Sequence, residues 1–114
     1  MRKLRVLIDE SLPVELALEL RGYEAATVHA QGWLRLKNGV LLRAAISAGF
    51  TVIITADTDL QYQQNLQKIG IGAVVVTGVR NRIEELRPLV PQIVDALRSI
   101  GPGQVIEITR SRAS

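Results

Sequence analysis

The feature that most limits what this chain can become is an alternation. Short apolar, β-branched runs take turns with longer segments whose apolar residues recur at helical spacing. The runs are LRVLI at 4–8, a weaker EAATVHA at 24–30, TVIIT at 51–55, IGAVVVTG at 71–78 and QVIEITR at 104–110. Between them lie LPVELALELRG, LLRAAISAG, LQYQQNLQKIG and RIEELRPLVPQIVDALRSIG. A β-α-β-α-β-α-β-α-β order at this spacing predicts a mainly parallel sheet with helices on both faces, an α/β/α three-layer sandwich. Right-handed crossovers should then set most of the topology.

Local signals refine the elements. Pro13 suits a first helical turn, Ser11 a cap before it, and Leu16, Leu20 and the Val14/Leu18 pair an apolar stripe. Gly22 and Gly49 are helix stops. Pro88 and Pro91 belong to the first turn of the last helix. QVIEITR alternates and reads as an edge strand with one wet face. At 114 residues the chain makes one domain, placed at 1–109, with RSRAS at 110–114 as a frayed basic tail.

Composition excludes some classes. Cysteine is absent, which removes disulfide frameworks and Cys-based zinc sites and suits a reducing cytosol. The first apolar run is broken by Asp9 and Glu10, too early for a signal peptide, and no run approaches the roughly 18 apolar residues of a membrane span. The expectation is a cytoplasmic protein with no membrane partner. A formal charge of +3 permits contact with nucleic acid without requiring it.

In such sheets the working crevice lies beyond the carboxyl ends of the strands, where the winding reverses. Asp9 and Glu10 follow the first strand, Asp57 and Asp59 the third, and Arg80 and Arg82 the fourth. If the first and third strands are neighbours, the carboxylates of Asp9 and Asp57 converge. Converging carboxylates need a cation or a proton between them, and hard oxygen donors suit Mg²⁺ or Mn²⁺. Such an ion activates water and neutralises phosphate. Arg80 and Arg82, on the same edge, would meet phosphate.

Each residue also has a plainer reading. Asp57 or Asp59 caps the helix at Leu60, Asp9 holds a turn, Glu10 is a solvated neighbour, and Asn38 caps the helix after the Asn38-Gly39 turn. Asp59 is read as a cap and Glu10 as a neighbour, with both as additional members of the site. Trp33 is read as cover for the core and Tyr62 as packed. Gln61 and Asn65 are expected to share one helical face, with Gln64 beside them. His29, the lone histidine, is read as structural.

LIDESLP at 7–13, LKNGVLLRAA at 36–45 and IITADTDL at 53–60, continued by YQQNL and LRPLVPQIV, resemble in order and spacing the small PIN-like domains of prokaryotes, relatives of PIN nucleases and VapC-type toxins. The resemblance covers nearly the whole chain. It implies a PIN-like sandwich, an Mg²⁺- or Mn²⁺-dependent ribonuclease site, RNA as substrate, and a toxin paired with a small antitoxin protein; a homodimer is also open to it. By position, Asp9 matches the first acid and Asp57 the acid after the later strand. Asn38 stands where PIN-type sites usually have a further acid. It would position a water or complete the shell, but it supplies no charge. The alternative is a non-catalytic interaction or nucleic-acid-binding module. A more distant resemblance, to receiver domains, rests on Asp9-Glu10, Asp57 and Thr77, but QVIEITR carries no lysine for the phosphate.

Overall fold

A computed structural model describes residues 4–110. Five strands are present: β1 (Arg5–Ile8), β2 (Glu24–Thr27), β3 (Val52–Thr55), β4 (Gly72–Thr77) and β5 (Val105–Thr109). They form one sheet in the order β2-β1-β3-β4-β5, and every pairing is parallel. The helices are α1 (Leu16–Glu19), α2 (Asn38–Ser47), α3 (Leu60–Gln63), α4 (Leu66–Ile69), α5 (Ile83–Leu86) and α6 (Val90–Ser99), with a 3₁₀ turn at Arg87–Leu89. The expected α/β sandwich is what the chain forms.

The strands read as unbroken apolar runs because both faces are covered. Val6, Ile8, Val52, Ile54, Val74 and Val76 face one way and pack against α1, α5 and α6 through Leu16, Leu86 and Ile93. Leu7, Ile53, Ala73 and Val75 face the other way, against Leu41, Leu42 and Ala45 of α2 and Leu66 of α4. Trp33 covers this second layer, its ring edge-on to Phe50 with centroids 6.1 Å apart. β5 is the expected edge strand, with Ile108 buried and Glu107 and Thr109 exposed.

Three of the four crossovers share one hand; the last departs from the expected rule. The β2–β3 and β3–β4 connections step the same way across the sheet with their helices on the α2 face. The β4–β5 connection steps in that direction too, but α5 and α6 lie on the α1 face. It therefore has the opposite hand, an uncommon arrangement. Its consequence is local: the loop after β4 turns toward the end of β1, where the Asn81 amide reaches the Glu10 carbonyl at 3.5 Å.

Several helices are shorter than expected. The segment from Leu12 to Gly22 is helical only over Leu16–Glu19, and Ser11 is not its cap. Leu12, Leu16 and Leu20 are buried, while Val14 and Leu18 are 52% and 80% exposed. Residues four apart share a face, and a two-residue offset turns Val14 and Leu18 about 200° away, so they do not join the stripe. LQYQQNLQKIG breaks into α3 and α4, because Gln64 is extended and Asn65 caps α4, its side chain accepting the Lys68 N–H at 3.1 Å. Gln61 and Asn65 thus do not share a helical face; the Gln61 amide donates instead to Glu107 on β5 at 2.9 Å. Tyr62 is not packed but 80% exposed. Pro91 sits in the first turn of α6 as expected, whereas Pro88 belongs to the 3₁₀ turn before it. The tail at 110–114 lies outside the described residues except for Arg110, whose N–H bonds Thr77 at 2.9 Å and whose guanidinium pairs with Glu85 at 2.8 Å.

Candidate functional site

The winding of the sheet reverses between β1 and β3, and that gap is where α/β proteins of this order bind ligands. Ile8 pairs with Ile54, and the Asp9 N–H continues the ladder by one bond to the Ile54 carbonyl, 2.9 Å away. Asp9 therefore leaves β1 level with Thr55, the last residue of β3. A turn then closes with the Leu12 N–H on the Asp9 carbonyl at 3.1 Å and brings Ser11 back over the strand ends.

Two hydroxyls meet one carboxylate oxygen there. Ser11 Oγ donates to Asp9 Oδ2 at 2.7 Å, and Thr55 Oγ1 donates to the same oxygen at 2.8 Å. The two hydroxyl oxygens also lie 3.3 Å from each other. Ser11 Oγ accepts the Ala56 N–H at 3.0 Å and Thr55 Oγ1 accepts the Asp57 N–H at 3.0 Å, so each hydroxyl ties Asp9 to the backbone that follows β3. Two such contacts fix the direction in which Asp9 Oδ2 lies. Asp9 is half-buried, and its Oδ1 has no hydrogen-bond partner among the described residues.

Asp57, also half-buried, is two hydrogen bonds from Asp9 through Thr55. Its Oδ1 accepts the Asp59 N–H at 2.9 Å, an Asx turn that opens α3. Its Oδ2 accepts from the Asn38 amide at 3.2 Å, and the same Nδ2 donates to Gln63 Oε1 at 3.3 Å. Both amide protons of Asn38 are thus engaged, and its Oδ1 has no partner among the described residues. Asn38 is the first residue of α2 rather than its cap; Lys37 occupies the cap position without a side-chain bond. Asp57, not Asp59, makes the side-chain bond at the start of α3, since Asp59 stands at the cap with its side chain uninvolved.

The predicted site residues fall into two groups. Asp9, Asp57 and Asn38 join one network, and Ser11, Thr55 and Gln63 complete it. The last three were missed because a hydroxyl at a turn reads as a cap and one at a strand end as filler. Their signal is spacing: Ser11 and Thr55 each lie two residues from an acid, at neighbouring strand ends. The second group stands around the rim. Glu10 is exposed and accepts the Arg35 N–H at 3.3 Å. Asp59 is exposed. Arg80 and Arg82 flank Asn81 in the loop that touches Glu10, both exposed and without an ion-pair partner among the described residues. Thr77, the receiver-like threonine, bonds Thr109 at 2.9 Å.

Among the described residues, no group of three or more His, Cys, Asp and Glu side chains is close enough to hold a metal ion. The available donors are two carboxylates, an amide oxygen and two hydroxyls, all hard oxygen. Mg²⁺ commonly takes one or two protein carboxylates and fills its shell with water and substrate phosphate. In donor type, Asp9 and Asp57 match that chemistry. Comparison with protein-family models, curated proteins and solved structures finds no match for this chain. Among the described residues no helix is long and apolar enough to cross a membrane.

Proposed function

We propose that this chain is a PIN-like endoribonuclease dependent on Mg²⁺ or Mn²⁺, working in the cytoplasm as the toxin of a toxin–antitoxin pair. The observation that carries the reading is the placing of half-buried Asp9 and Asp57 at adjacent strand ends where the sheet reverses its winding, linked through Thr55, with Asp9 oriented by Ser11 and Thr55. A carboxylate held by donors on one oxygen presents the other in a defined direction, as outer partners do for metal ligands. Asp9 and Asp57 would hold the ion, and Asn38 Oδ1 would accept from a water beside it. When bound, such an ion supplies a Lewis acid that neutralises phosphate and lowers the pKa of water. Arg80 and Arg82, exposed on the rim, supply positive charge for the RNA backbone. The toxin role and the antitoxin rest on the resemblance of LIDESLP, LKNGVLLRAA and IITADTDL to that family.

The test is RNA cleavage by the purified protein with Mg²⁺ or Mn²⁺, with and without chelator, beside Asp9→Asn. Cleavage that needs both the metal and Asp9 supports the reading; none under any condition removes it. One observation favours a second reading, a non-catalytic nucleic-acid-binding module: both oxygens of Asp57 already receive protein donors, and Asn38 supplies no third charge. RNA binding without cleavage would select it.

A further inference from the structure

Asp9 stands at the β1–β3 switch point and also lines a cleft of about 330 Å³ over the ends of β1 and β2. That volume is at the lower end of small-molecule sites. Its wall is apolar, from Ile8, Leu12 and Leu34. Its polar groups are of mixed kind. Thr27, 9% exposed, accepts the Ala30 N–H at 3.0 Å, and its own O–H has no acceptor among the described residues. His29 offers a ring without a hydrogen-bond partner among the described residues, and Asn81 an amide. Glu10 and Glu15 add carboxylates.

This set selects a chemistry. The carboxylates of Glu10 and Glu15 disfavour phosphate within the cleft itself. An apolar wall beside a buried donor and several acceptors suits a flat, neutral heterocycle with amino and carbonyl groups on its edge. Carboxylates accept from exocyclic amino groups, and amides read base edges on both sides. We infer that the cleft binds a nucleobase, that of the nucleotide next to the phosphate at Asp9 and Asp57. This rests on the nuclease reading for its place in the reaction, and it gives that reading a specificity pocket. The loop that brings Asn81 to the cleft carries Arg80 and Arg82, so base and backbone contacts come from one segment.

The chain has one histidine, so the His29 ring gives a single assignable proton NMR signal set. Adenosine, guanosine, cytidine and uridine are titrated separately into the full chain without divalent metal. The expected result is saturable movement of the His29 signals with at least one nucleoside. Thr27→Val removes the buried donor and should weaken binding about tenfold, the scale of one hydrogen bond, whereas Thr27→Ser keeps it. Leu34→Asp, at a rim position 43% exposed, should weaken it similarly and does not burden folding. No saturable shift with any nucleoside, or equal affinity in all three variants, overturns the inference. Binding without RNA cleavage keeps the pocket and removes the nuclease; cleavage with His29 silent does the reverse.

Discussion

Thr55 donates to Asp9 Oδ2 at 2.8 Å while accepting the Asp57 N–H at 3.0 Å, so one buried hydroxyl joins the acids of two neighbouring strands. Thr55→Val keeps the shape but leaves the Asp57 N–H unpaired and Asp9 with one donor. A loss of roughly 1–3 kcal/mol is expected, the cost of a buried group left unsatisfied. Urea unfolding measures it; an unchanged midpoint would mean water replaces the hydroxyl without penalty.

Asn38 decides how much negative charge the gap holds. Asn38→Asp replaces a donor to Asp57 Oδ2 with a second carboxylate. Without metal the variant should melt lower than wild type, through repulsion between like charges. With millimolar Mn²⁺ the order should narrow or reverse, and metal-dependent RNA cleavage should rise above wild type. A melting temperature insensitive to Mn²⁺ would place Asn38 outside any ion's reach.

Arg80 and Arg82 are exposed and carry no ion pair among the described residues, so their loss should not disturb folding. Replacing both with Ala should weaken RNA binding and lower the salt slope by about 2, one released counterion per lost phosphate contact. Fluorescence anisotropy at several salt concentrations reads the slope. A slope equal to wild type would leave both as surface charges.

Asn65 caps α4 with a side-chain bond to the Lys68 N–H at 3.1 Å. Asn65→Ala should cost about 0.5–2 kcal/mol, seen as a lower thermal midpoint. Asn65→Asp should restore most of it, because Asp caps equally well. If Ala matches wild type, the break at Gln64 is held by tertiary packing alone.

The layer order was legible because buried parallel strands must be continuous apolar runs, and VIIT and AVVV have no other economical place. The placing of Asp9 and Asp57 at the ends of neighbouring strands was legible too, once β1 and β3 pair. Helix lengths were not legible. Gln64 and Asn65 carry no helix breaker as strong as proline, so a cap within LQYQQNLQKIG looks like one more polar residue. The hand of the β4–β5 crossover was hidden too, since either face offers α6 an apolar partner. Nor did residue type reveal the Ser11–Asp9–Thr55 junction, which exists only because the turn after β1 folds Ser11 back onto β3.

Mn²⁺ titration calorimetry asks whether Asp9 and Asp57 hold one divalent ion between them. Wild type, Asp9→Asn and Asp57→Asn are compared at one ionic strength, after circular dichroism has shown each folded. A single weak site in wild type and a loss of affinity of tenfold or more in each variant are expected, because two carboxylates provide all the protein's charge at the ion. Equal heats in all three proteins would contradict a shared ion and leave Asp9 and Asp57 as turn-forming residues.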